Sequence, residues 1–98
     1  MATLFITVYE GAASVALGDP IQEEAVVIGA GSLQSNVITG IAPRRKRVRL
    51  YADVDCFATW GDNPTATTDG TSGRPLGADN PEYFDIESGY RIAVIERL

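Results

Sequence analysis

At 98 residues and 45% apolar composition, the chain has the size of one globular domain, and wholesale disorder is excluded. A net charge of −5 argues against general binding to nucleic acid or to an anionic membrane surface. The single cysteine, Cys56, leaves no internal disulfide, which fits a reducing compartment or assembly inside a cell.

The first ten residues lack a basic n-region and a cleavage site, so no signal peptide is expected. No apolar run approaches the roughly 20 residues that span a bilayer. Leu4 to Tyr9 reads as a first strand, rich in β-branched and aromatic residues, with Leu4, Ile6 and Val8 on one face. Gly11 to Gly18 is bounded by glycines and followed by Asp19-Pro20, which favours a loop over a helical turn. A second strand is expected from about Glu23 to Ile28, ended by a bend at Gly29-Ala30-Gly31-Ser32. A weakly alternating third runs from Leu33 to Ile38, and Gly40 to Arg45 is a connection marked by Pro43.

The centre of the chain is residues 47–60. Every even position from Val48 to Trp60 is apolar, and the odd ones are mostly polar, with Tyr51 and Phe57 as exceptions. Side chains alternate faces along a strand, so this run buries one face of a sheet. It exceeds the usual strand length of about 5–6 residues. A bend near Asp53-Val54-Asp55 is therefore expected, or a strand passing from one sheet to another. Gly61-Asp62-Asn63-Pro64 ends the run with turn residues, and residues 61–80 form a long polar loop with almost nothing to bury. Glu82 to Ile86 is the next strand. After the turn at Glu87-Ser88-Gly89, Tyr90 to Glu96 is the last. Its Ile92 and Val94 face one way, and Ala93 and Ile95 the other, which suits a strand covered on both sides, by a neighbouring subunit for example. The sum is an all-β domain over residues 1–98, a β-sandwich or jelly-roll-like barrel of about seven short strands with a long 61–80 loop.

Catalysis is poorly supplied. The chain has no histidine, and Cys56 lies on the buried side of the alternation. Its serines have no evident base. No enzyme activity and no cofactor are expected. Asp53, Asp55 and Asp62 offer too few oxygens for a hard cation, so no metal is expected. Gly29-Ala30-Gly31-Ser32 lacks the Lys-Ser/Thr and the helix that a phosphate loop needs. Trp60 and Tyr83-Phe84 read as core and edge packing. The basic cluster Arg44, Arg45, Lys46 and Arg47, with Arg49 beyond, holds five of the eight cationic side chains, while nine acids face three arginines after residue 50. It suits an acidic protein surface better than nucleic acid, because the rest of the domain repels a polyanion and no aromatic platform adjoins the cluster. A solvated loop entering a strand is the plainer alternative.

The second half carries an ordered series. It runs Val48-Arg49-Leu50-Tyr51-Ala52-Asp53, Cys56-Phe57-Ala58-Thr59-Trp60-Gly61, Asn63-Pro64-Thr65-Ala66-Thr67, Pro81-Glu82-Tyr83-Phe84 and Gly89-Tyr90-Arg91-Ile92-Ala93-Val94-Ile95. This series, over about residues 47–96, resembles small virion structural proteins encoded by tailed bacteriophages and prophages near their head genes. The resemblance is one of strands and turns, without a chemical motif. It implies a capsid decoration or cement protein, made in the bacterial host cytoplasm and carried on the capsid surface of the virion. Such a protein binds the major capsid protein, stabilises the head, and sits as a dimer or trimer where capsomers meet. The expected contact residues are Arg44, Arg45, Lys46 and Arg47 toward the capsid, with Tyr90 and Ile95 in a homo-oligomer. A head–tail connector or tail component is one alternative. A carbohydrate-binding β-sandwich module of a phage appendage is another, with Tyr51 and Phe57 as its aromatic candidates.

Overall fold

A computed structural model describes residues 2–9, 20–38, 45–67 and 73–97. The expected loop at Gly11 to Gly18, most of the connection after Gly40, Arg44 and the centre of the long loop lie outside the described residues. The described chain is all β, with β1 (Thr3–Tyr9), β2 (Pro20–Val27), β3 (Leu33–Gln34), β4 (Arg45–Ala52), β5 (Cys56–Gly61), β6 (Arg74–Leu76), β7 (Glu82–Glu87) and β8 (Arg91–Glu96). They form two antiparallel four-stranded sheets. Sheet I has the order β2-β1-β4-β7, and sheet II the order β3-β8-β5-β6.

The expected change of sheet at Asp53-Val54-Asp55 is present, since β4 belongs to sheet I and β5 to sheet II. The two carboxylates hold this corner. Asp53 Oδ1 accepts the Thr3 N–H at 2.8 Å, while the Asp53 N–H donates to Thr3 O at 3.2 Å. Asp55 Oδ1 accepts the Ala78 N–H at 2.9 Å, and Asp55 Oδ2 lies 3.4 Å from Arg97 Nη2. A corner exposes backbone donors that no strand can satisfy, and short carboxylates reach them. Asp53 and Asp55, two of the three acids considered for a cation, are thus committed to the chain itself. Among the described residues no group of three or more His, Cys, Asp or Glu is gathered for a metal.

The chain also changes sheets at other turns. Gly29 to Ser32 carries it from β2 to β3. Residues 88–90 carry it from β7 to β8, with Gly89 at φ 93°, a conformation that costs glycine little. The Ile38 N–H donates to Tyr90 O, and the Gly89 N–H to Ile38 O, both at 2.9 Å. These two bonds close that end of the sandwich.

The core follows the alternation. Leu4, Ile6 and Val8 of β1, Val26 and Ile28 of the β2 arm, and Val48, Leu50 and Ala52 of β4 point inward from sheet I. Cys56, Ala58, Leu76, Ile92 and Val94 meet them from sheet II. Burying each large aliphatic side chain contributes about 1.5–3 kcal/mol, an upper estimate because the unfolded chain is already partly compact. Trp60 and Phe84 close the sandwich at one edge, with ring centroids 4.9 Å apart.

Two features differ from the sequence reading. The long loop contains an eighth strand, β6, and it does bury residues: Pro64, Ala66 and Leu76 are inside. Strand β8 is apolar on both faces as read, but its second face is covered by the chain itself. Ala93 and Ile95 form a small cluster with Ala66 and Phe57 on the outside of sheet II. Residues 62–67 cross that face as a strap. The Ala66 N–H donates to Ser32 Oγ at 3.0 Å, and Gln34 Nε2 donates to Asn63 Oδ1 at 2.9 Å and Pro64 O at 2.7 Å. A neighbouring subunit is not needed to cover Ile95, because a segment rich in small residues lies flat enough to do so.

Candidate interaction surface

Among the described residues strand alternation divides the basic cluster between two faces. Arg44 lies outside the described residues, and Arg45 is placed only as the first residue of β4. Strand alternation then divides the rest. Lys46 points inward with Val48 and Leu50 and is 3% exposed. Arg47 points outward and pairs with Asp85 at 3.0 Å. Tyr90 is half-buried against the main core, and Ile95 lies beneath the strap. Tyr51 and Phe57, the two aromatic candidates for a glycan platform, sit on opposite outer faces of the sandwich. Tyr51 is on sheet I, and Phe57 is on sheet II beside Ile95.

Residues with potential chemistry are occupied otherwise. Burial pushes the Cys56 thiol up to about 11, so the nucleophilic thiolate is scarce at neutral pH. Ser35 Oγ accepts the Ile92 N–H at 2.9 Å and donates to Asn36 O at 2.8 Å. An open cleft of about 380 Å³ adjoins Ala58, Thr59, Trp60, Gly73 and Arg74. Its aromatic wall is already covered: the Arg74 guanidinium lies 5.3 Å over the Trp60 ring and 5.5 Å over Phe84.

The outer face of sheet I is partly open, with Thr7 at its centre buried beneath its neighbours. The register sets Phe5 opposite both Ala25 and Tyr51, Thr7 opposite both Glu23 and Arg49, and Arg49 opposite Tyr83. These odd-numbered residues share the face turned away from the core. Six large hydrophobic side chains are exposed among the described residues, and four of them, Phe5, Ile21, Val27 and Tyr83, are on this face. Phe5 is 44% exposed and Tyr83 48%. Their clustering is the informative point, since single exposed apolar residues are ordinary.

The aromatic groups are held in place. The Phe5 and Tyr51 ring centroids are 6.2 Å apart, tilted by 50°. The Arg49 guanidinium lies 5.3 Å over the Tyr51 ring. The Tyr51 hydroxyl donates to Asp79 Oδ1 at 2.8 Å, and this bond is the main reason its pKa rises above the ordinary value. Asp79 adopts φ 58°, a left-handed conformation that aspartate tolerates better than most residues, and its N–H donates to Ala52 O at 2.7 Å. The turn after β6 thus fixes the tyrosine from below. Among the described residues no ion pair engages either Glu23 or Arg49, which flank Thr7 on either side.

No protein-family model, curated protein or solved structure matches this chain.

The composition of the open face has a physical meaning of its own. Tyr, Phe and Arg are enriched where protein interfaces concentrate their energy, because they combine large contact area, few rotatable bonds and a polar handle. The sequence contains a signal for this surface in the aromatic odd positions, Phe5, Tyr51 and Tyr83. Only the β1–β4–β7 pairing brings them together.

Proposed function

We propose that this protein is a structural component of a larger protein assembly, namely a decoration or cement protein of a tailed-bacteriophage head that binds the major capsid protein. The carrying observation is the outer face of sheet I, where Phe5, Tyr51 and Tyr83 lie about Arg49 on a rigid sheet and Val27 extends the apolar surface along β2. A preformed aromatic surface loses little entropy on binding and fits a role of contact rather than chemistry. The strand-and-turn resemblance over residues 47–96 supports the phage setting. So does the acidic balance, which disfavours packaged nucleic acid as the partner.

The test is binding to purified heads that lack the protein. Saturable occupancy of heads, with a higher temperature of head disruption, is expected. Phe5→Ala and Tyr83→Ala should both lower that occupancy. Binding to separated tails with none to heads would transfer the protein to a connector or tail role. Occupancy unchanged by both substitutions would remove the outer face of sheet I from the attachment.

A further inference from the structure

We propose that two copies of this chain pair face to face through the outer faces of sheet I, about a two-fold axis running along the strands between β1 and β4. The inference rests on reading that face as a contact surface, and it names a second copy as its occupant in the free protein, a place the capsid subunit takes over on the head. Size, charge and the positions of the aromatic rings argue for it together.

Size comes first. Four strands about 4.8 Å apart and about seven residues long at roughly 3.3 Å each give a face of roughly 19 by 23 Å. That is about 440 Å² in plan, which side-chain relief raises toward the ~800 Å² per partner buried in a specific interface. A sheet face of this size packs well on another sheet face whose strands run nearly in line with its own.

Charge selects the axis. Glu23 on β2 and Arg49 on β4 lie on opposite sides of Thr7, so their backbones are about 10 Å apart and β1 stands between them. Neither takes part in an ion pair among the described residues. Rotation about an axis between β1 and β4 exchanges β1 with β4 and β2 with β7. The partner's Arg49 then falls over Thr7, beside Glu23, and Glu23 of the partner meets Arg49 in the same way. Two symmetric ion pairs form that the single chain does not make among its described residues. An axis across the strands, centred on the same row, would oppose Arg49 to Arg49 and Glu23 to Glu23, and like charges exclude it.

The rings give the centre. The same rotation sets Phe5 over the partner's Tyr51 and Tyr51 over the partner's Phe5. Four rings meet near the axis, with Val27 and Tyr83 at the flanks. An isologous interface of this kind is self-complementary by construction.

The experiment is sedimentation equilibrium of the full chain over a wide concentration range. Wild type is compared with Glu23→Arg, Arg49→Glu and the double exchange, and denaturant titration confirms that each variant is folded. Wild type should dimerise. Each single reversal should weaken the dimer about tenfold or more, because it sets like charges together. The double exchange should restore most of the affinity. A monomer at every concentration overturns the proposal. So does a dimer indifferent to all three variants. Occupancy of heads is measured in parallel with Phe5→Ala and Tyr83→Ala. If the chain is monomeric but its occupancy still depends on Phe5 and Tyr83, the pairing falls and the contact-surface reading stands. If neither property depends on the face, both fall.

Discussion

The two outer faces of the sandwich begin from similar chemistry and end differently. Sheet II carries Phe57, Ala93 and Ile95 outward, and the chain covers them with its own residues 62–67. Sheet I carries Phe5, Val27, Tyr51 and Tyr83 outward; among the described residues Phe5, Val27 and Tyr83 stay open, with Tyr51 half-buried between them. The difference lies in what is available nearby. The segment after β5 offers Pro64 and Ala66, small enough to lie flat, and Ser32 and Gln34 stand beside it to take its backbone and Asn63. The open face is instead braced from its edge by the Tyr51–Asp79 bond. Apolar surface outside a core therefore says little about partners until one asks whether the same chain closes it.

Substitutions measure this contrast. Leu50 is fully buried in the core that both sheets share, and Leu50→Ala should cost about 2–5 kcal/mol in denaturant unfolding. That sets the upper end of the scale. Ile95→Ala, beneath the strap, should cost about 2 kcal/mol, because Ile95 is 6% exposed but belongs to a thin cluster. A loss near zero would mean that the strap does not cover Ile95 in solution. Gln34→Ala should cost about 1 kcal/mol and speed hydrogen exchange at the Ala66 amide. Tyr83→Ala on the open face should change the stability of the dilute chain by less than about 0.5 kcal/mol while reducing occupancy on heads. If Tyr83→Ala destabilised the dilute chain as much as Ile95→Ala, the two faces would not differ in the way described.

The corner gives a pH dependence with a definite sign. The Ala78 N–H, and after it Arg97, hold the Asp55 carboxyl below its ordinary value of 3.8. The folded value is the lower one. Its contribution is therefore present above the unfolded value and lost as pH falls through the folded one. Asp55→Asn should flatten the acid limb of the stability curve below about pH 4. An unchanged acid limb would show that the Ala78 and Arg97 contacts do not form in solution.

The fold was legible in the sequence where one period ran long enough. Alternation from Val48 to Trp60 exposed the facing of β4 and β5, and its excess length pointed to the crossing at Asp53-Val54-Asp55. Leu4, Ile6 and Val8 were equally plain. Strand β6 was not, because Arg74-Pro75-Leu76 is three residues long, contains a proline, and lies in a run of turn formers. The charge of Lys46 points to a surface cluster, although the same alternation, carried two residues further back, places it inside. The strap leaves little mark in the sequence because Ala66 carries little hydrophobic signal. The candidate surface depends on the register between β1, β4 and β7, strands far apart in the chain, and no local pattern encodes that pairing.

On the proposed function, the outer face of sheet I is the surface this protein uses and the outer face of sheet II is not. Oxidative footprinting read by mass spectrometry tests it directly, comparing the dilute chain with the chain assembled on heads. Phe5, Tyr51 and Tyr83 should be readily oxidised when dilute and protected by severalfold when assembled, while Phe57 should change little. Equal reactivity of Phe5, Tyr51 and Tyr83 in both states, or protection confined to Phe57, would contradict the account.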